Sequence, residues 1–290
     1  MTHQSVFTIR EAVARGTDFL KARGIETARL DAELLVGAAV NLDRLGLYLD
    51  MDRPLTDSER AAARELLRRR GAREPVAYIL GRREFRSRDF EVTRDTLIPR
   101  PETEELVDIA LAQLDRRFPG SASRFRLLDI GTGTGVIAIS LALELPAAVV
   151  VATERSAAAA GVARRNAAAH GVNHRVDIRV QDGLAGLEPP FHAIVSNPPY
   201  IRDDEYAGLM PEVRDFEPRE ALTAGADGLD VVRMILAGAP PLLVPDGFTL
   251  LEIGCGQGKA VAQIAAEAGF HEAQIVQDFA GLDRYALLAR

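Results

Sequence analysis

Along the first 75 residues, apolar side chains recur at helical spacing and no alternating run reaches strand length. Three segments carry the interval: 9–22, 28–40 with Leu30, Leu34 and Leu35, and 57–70. That spacing gathers one apolar stripe per helix, so this part predicts a small helical bundle. Thr56 or Asp57 offers an oxygen to cap the third helix. From 76 to 100 the pattern changes. Phe85 and Phe90-Glu91-Val92 alternate around a polar turn, which predicts a hairpin. Ile98-Pro99-Arg100-Pro101 then forces an extended approach to a helix starting after Pro101.

From about 105, short apolar runs alternate with helical segments. Strands are predicted at 126–130, 148–153, 176–180, 193–196 and 248–253, with two more in the tail at 273–276 and 284–288. Helices are predicted at 135–145, 157–170, 228–238 and 259–268. This alternation implies an α/β fold, a parallel sheet with helices on both faces. The expected organisation is a helical domain over 1–75, a hairpin and linker over 76–100, and an α/β domain over 101–290.

Composition narrows the function classes. The 290 residues are 47% hydrophobic and 27% charged, with a formal net charge of −7, which leaves no electrostatic footprint for nucleic acid. Cys255 is the only cysteine, so no intrachain disulfide and no thiolate metal cluster can form. It reads as a packed or partly exposed thiol. His3, His170, His174, His192 and His271 are scattered without ligand spacing, so no metal is expected. No signal-peptide core is visible, and no apolar run approaches the roughly 20 residues of a membrane span. The expectation is a cytoplasmic monomer with no membrane and no direct nucleic-acid contact. Arg68-Arg69-Arg70 reads as a solvated helix end favoured by the helix dipole.

Chemistry concentrates at four predicted strand ends. Leu127-Leu128-Asp129-Ile130 runs into Gly131-Thr132-Gly133-Thr134-Gly135, a turn in which glycines admit a ligand close to the backbone. Val136 stands where the dinucleotide fingerprint G-x-G-x-x-G wants its third glycine. Asp129 would repel pyrophosphate and suit a cationic ammonium or sulfonium ligand, which favours S-adenosyl-L-methionine over NAD. Glu154 closes the next strand, at about the spacing where an acid takes ribose hydroxyls. Asp182, after the third, is a candidate for the adenine amine. The run Ala193-Ile194-Val195 ends in Asn197-Pro198-Pro199-Tyr200. The Asn197 side chain and the Pro198 carbonyl offer two acceptors for both N–H bonds of a planar NH2 group, and Tyr200 an aromatic face beneath it.

These features together resemble the HemK/PrmC family, the protein-(glutamine-N5) methyltransferases of class I peptide release factors. The carriers are PVAYILGRREF (75–85), LIPRPETEELV (97–107), LLDIGTGTG (127–135), VSNPPY (195–200), MPEVRDFEPREAL (210–222), LEIGCGQG (251–258) and DFAGLDR (278–284). The resemblance implies a Rossmann-like class I methyltransferase fold with a small helical N-terminal domain that contacts the release factor. It implies S-adenosyl-L-methionine as methyl donor, with S-adenosyl-L-homocysteine as product. It further implies that Gly131, Thr132, Gly133, Thr134 and Gly135 line the cofactor with Glu154, Asp182, Gly183 and Asn197. Asn197, Pro198, Pro199 and Tyr200 would cage the glutamine amide of a GGQ tripeptide, with Asn197, Pro198 and Tyr200 catalytic. Glu154 stands where the family commonly has Asp. Gly183 stands where many members carry an aromatic beside the adenine. Glu212, Arg214, Asp215 and Glu217 read as a lid over the substrate, mobile without a partner. The alternatives are an adenine-N6 methyltransferase using the same NPPY cage, a non-catalytic cofactor- or nucleotide-binding module, and a dehydrogenase, which Asp129 and Val136 disfavour.

Overall fold

The computed structural model describes residues 7–120 and 125–290, so His3 lies outside the described residues. The chain divides into two compact units. One comprises the residues up to Gly81 together with Met210–Phe216, the other Arg82–Leu209 with Glu217–Arg290.

The first unit contains α1 (Ile9–Lys21), α2 (Ala28–Val40), α3 (Arg44–Leu49), α4 (Asp57–Gly71) and α5 (Val76–Leu80). Thr8 and Glu11 form a capping box on α1, and Thr56 and Glu59 do the same on α4. Of the two caps foreseen for α4, Thr56 is the one used. α1 and α4 both pack on α2, burying Ile9, Val13, Val36 and Leu20. The two short helices α3 and α5 leave too few turns for a periodic signal, and the sequence pattern misses both. Because α5 packs on α2 and α4, this unit runs to Gly81 rather than ending near 75. The basic run also differs from its reading as a solvated face. Arg70 is buried, its guanidinium on Asp31 at 2.7 Å and on Glu212 at 3.1 Å.

The second unit opens with a hairpin, β1 (Arg82–Phe85) and β2 (Arg88–Glu91), followed by α6 (Pro101–Arg117). Next come β3 (Arg126–Ile130), α7 (Val136–Glu144), β4 (Val149–Glu154), α8 (Ala157–Ala169), β5 (Val176–Val180) and β6 (Phe191–Ser196). The chain then passes through α9 (Pro211–Arg214), which belongs to the helical unit, and returns with α10 (Asp230–Gly238). It ends with β7 (Leu243–Glu252), α11 (Gly258–Glu267), β8 (Glu272–Gln277) and β9 (Asp283–Ala289). The seven-stranded sheet has the order β5-β4-β3-β6-β7-β9-β8. The first five strands run parallel, as the strand–helix alternation predicts. The tail departs from it. Asp278 turns the chain back through its N–H to the Leu282 carbonyl, so β9 runs antiparallel between β7 and β8.

Apolar side chains alternate between the two faces of this sheet. Leu127, Val150 and Leu250 join the core under α6, α7 and α8, whereas Leu128, Val151 and Leu251 join the core under α10 and α11. Burial on both faces explains why the strands read as unbroken apolar runs. The strand order reverses between β3 and β6, which opens a crevice at their carboxyl ends.

Candidate active site

The glycine turn after β3 is pinned to its neighbours by backbone bonds. The N–H groups of Gly131 and Thr132 both donate to the Thr153 carbonyl, at 2.8 and 3.0 Å. Gly131 holds φ at 70° with open space where a Cβ would stand, so a ligand can approach its backbone. Gly135, at φ 86°, caps α7. A Cβ there would come within 2.8 Å of Ile139 and 3.3 Å of Ala163, so it lets α7 close on α8. Asn166 of α8 adds a tie: its amide donates to the Thr134 carbonyl at 2.9 Å and to the Glu91 carbonyl at 3.0 Å.

Asp129 does not stand on the wall of the cleft that this turn borders. Its carboxylate is fully buried, and Oδ2 accepts from the Thr132 hydroxyl at 2.6 Å and the Ala138 N–H at 3.1 Å. Burial pushes it up to about 7, against the pull of those two donors. The charge read from the sequence as a cation contact is a fastener between the turn and the start of α7.

A cleft follows the carboxyl ends of β3, β4, β5 and β6. Gly131, Gly133, Glu154, Asp182 and Gly183 stand on its walls, and Asn197, Pro198 and Pro199 close it at the end of β6. Glu154 accepts one N–H on each oxygen, from Gly133 at 3.0 Å and Ser156 at 2.9 Å. Each oxygen keeps a second lone pair, which suits a vicinal diol. Gly183 holds φ at 58°, which disfavours any side chain, and a Cβ there would meet the Met234 thioether at 2.6 Å and push it aside. Met234 and Val231, from α10, share this wall. The residues at hand therefore fit a nucleoside: acids at both ends, apolar side chains between, and bare backbone at the glycines.

Asn197 donates its amide N–H to the Thr103 hydroxyl at 3.0 Å, and that hydroxyl donates to Glu252 at 2.8 Å. Tyr200 is not on the cleft wall. Its ring lies against the Gly254 turn, and burial, then the charge of Glu252, pushes its phenol up to about 12. Glu217 is buried, accepting from the Ile98 N–H and the Arg100 guanidinium, while Glu212 takes Arg70 and Arg73. The segment read as a mobile lid is thus fastened at both of these acids. His192 is structural: Nδ1 accepts from the Arg126 N–H, and its ring packs between Phe118 and Phe125. Among the described residues no group of three His, Cys, Asp or Glu side chains is placed to hold a metal, and no helix is long and apolar enough to cross a membrane.

Two family models match this chain, the PrmC N-terminal domain over residues 11–81 and the methyltransferase small domain over 103–210. The release factor glutamine methyltransferase of Geobacter sulfurreducens is 45% identical over 280 residues, covering 96% of this chain and 95% of that protein. The chain belongs to the release factor glutamine methyltransferase family. The member from Cereibacter sphaeroides is 46% identical over 276 residues, covering 95% of each. Among solved structures, the hMettl16 catalytic domain in complex with a MAT2A 3'UTR hairpin has a TM-score of 0.56 at 17% identity, covering 83% of this chain and 84% of that one. That likeness shows the fold, a Rossmann-like class I methyltransferase fold.

Within this member of the release factor glutamine methyltransferase family, the residues picked from sequence separate into two groups. Gly131, Gly133, Glu154, Asp182, Gly183, Asn197, Pro198 and Pro199 meet at the cleft. Thr132, Thr134 and Gly135 are buried in the turn itself, and Tyr200 is half-buried beside the Gly254 turn. Met234, Val231, Thr103 and Glu252 were missed. The one available signal was Glu252, an acid inside the otherwise apolar stretch 248–253.

Proposed function

We propose that this protein transfers a methyl group from S-adenosyl-L-methionine to the side-chain amide nitrogen of the glutamine in the GGQ tripeptide of class I peptide release factors. The observation that carries the reading is that the anchored Asn197 carboxamide opens on the same cleft as Glu154 and the glycine turn. In it, Glu154 takes the ribose hydroxyls, Asp182 the adenine amine, and Met234 with Val231 the adenine face that an aromatic at 183 would otherwise cover. Bound there, S-adenosyl-L-methionine supplies an activated methyl on sulfonium and leaves as S-adenosyl-L-homocysteine.

The protein's own part is alignment. Asn197 Oδ1 and the Pro198 carbonyl each accept one N–H of the substrate amide, which fixes its plane and turns the nitrogen toward the methyl group. Fixing reacting groups at near-attack distance contributes roughly 7–11 kcal/mol in favourable systems. The nitrogen–carbon bond forms as the sulfur–carbon bond breaks, and the proton shed from nitrogen passes to solvent, so no strong base is needed beforehand. The near-full-length likeness to release factor glutamine methyltransferases, helical unit included, favours a protein substrate over adenine in nucleic acid.

Mass spectrometry of a release factor incubated with the protein and isotope-labelled methyl donor tests this. The expected result is one labelled methyl on the GGQ glutamine. Label on DNA or ribosomal RNA, with none on the release factor, overturns it.

A further inference from the structure

The hydrogen-bond chain behind Asn197 has a defined direction. A carboxamide can present either its oxygen or its nitrogen to a ligand, and the two ends have nearly the same shape. A hydroxyl has only one proton to give. Thr103 gives that proton to Glu252 and so meets Asn197 as an acceptor, which only the Nδ2 end of the carboxamide can satisfy. The oxygen is left to face the cleft. All three residues sit at fixed points: Thr103 in the first turn of α6, Glu252 at the end of β7 and Asn197 just past the end of β6. Thr103 is 3% and Glu252 1% exposed, so water does not compete for these bonds.

We propose that Thr103 and Glu252 are positioning residues for methyl transfer: they lock the Asn197 carboxamide with its oxygen toward the substrate N–H. This rests on the amide-methylation reading above and deepens it. Flipped, Asn197 would present N–H to N–H and repel the substrate amide.

The lock depends on Glu252 accepting. Burial pushes Glu252 up to about 7. Arg284 on β9 and Arg100 at the start of α6 lower it, and Glu102 on α6 raises it. Tyr200 feels its charge from the turn after β6. Both arginines are engaged elsewhere, Arg284 on Asp278 and Arg100 on Glu217. Once protonated, Glu252 can donate to Thr103. The hydroxyl proton then turns toward Asn197, which reverses the preferred end of the carboxamide.

The test compares Thr103→Val, which keeps the branched shape, with Thr103→Ser, which keeps the hydroxyl. Expected for Thr103→Val is a fall in kcat of about 100-fold, the cost of a small misplacement at a reacting centre. S-adenosyl-L-homocysteine affinity by calorimetry should be unchanged, and Thr103→Ser should restore most of the turnover. Wild-type kcat should fall as pH drops through about 7, and Glu252→Gln should remove that inflection. Wild-type turnover in Thr103→Val overturns the proposal, as does loss of product affinity in Val and Ser alike, which would mark a merely structural role. A second readout is independent of the functional reading. In 15N NMR of the substrate-free protein, the Asn197 side-chain NH2 should exchange slowly in wild type and Thr103→Ser and rapidly in Thr103→Val. If wild type leaves a release factor unmethylated, the functional reading falls alone, and equal exchange in all three proteins overturns the lock.

Discussion

The two units differ in how they hold their most deeply buried acids. In the helical unit, buried charges are paired: Arg70 lies on Asp31 and Glu212, and Glu33 takes Arg29, Arg44 and Tyr48. Burial alone would raise the Glu33 carboxyl, yet bonds from Tyr48 and the two arginines outweigh it and hold it below its ordinary value. In the α/β unit, Asp129 and Glu252 are as deeply buried, and their hydrogen bonds come from hydroxyls and a backbone N–H rather than a guanidinium. Both are pushed up to about 7. A paired charge gives a stable joint between helices. A buried acid held without a cation costs stability and is tolerated where it orders a site, here the glycine turn and Asn197.

The largest effect that sharpens this contrast is on chemistry. Asn197→Ala should abolish turnover in the release-factor methylation assay while leaving S-adenosyl-L-homocysteine affinity nearly intact by calorimetry. Near-normal turnover would remove the amide cage and detach the α/β unit's charges from function. Next comes Arg70→Ala, which strands Asp31 and part of the Glu212 charge. Breaking a buried pair from one side costs about 3–5 kcal/mol, so urea denaturation followed by circular dichroism should show a clear loss. No loss would mean that the pairs in the helical unit are not structural.

Asp129→Asn probes the other side. The folded-state value of Asp129, about 7, lies above the unfolded value near 3.8, so the folded protein keeps that proton longer. The buried ionised form therefore costs stability above pH 7, and the cost disappears as pH falls toward 4. The asparagine variant should be more stable than wild type at pH 8, by up to about 4 kcal/mol, and no different near pH 4. A variant that is less stable at pH 8 would reverse the comparison. A smaller effect is expected of Met234→Ala. Truncating this side of the adenine face should weaken S-adenosyl-L-homocysteine binding about tenfold, roughly 1.4 kcal/mol, by calorimetry. The smallest is Glu65→Ala, whose exposed pair with Arg68 is screened by solvent, so the midpoint in the same urea assay should stay at its wild-type value.

Much of this was legible in the chain. Local signals suffice for an amphipathic helix, a capping threonine such as Thr56, a glycine turn or an apolar run cut by Pro198-Pro199, because neighbouring residues alone produce them. They gave the α/β alternation, the helical start and the cleft acids Glu154 and Asp182. Short α3 and α5 escaped because five or six residues make fewer than two helical turns, too few for an apolar spacing to repeat.

What only the tertiary structure decided has one physical cause: long-range contacts assign partners, and burial changes what a charge does. The sequence marks Asp129 as an acid beside a glycine turn, and folding points it at α7 instead of the cleft. It shows three consecutive arginines, and folding buries the last between Asp31 and Glu212, residues 39 and 142 positions away. The hydroxyl of Thr103 stands 94 residues from Asn197 and 149 from Glu252, a separation at which no spacing rule operates.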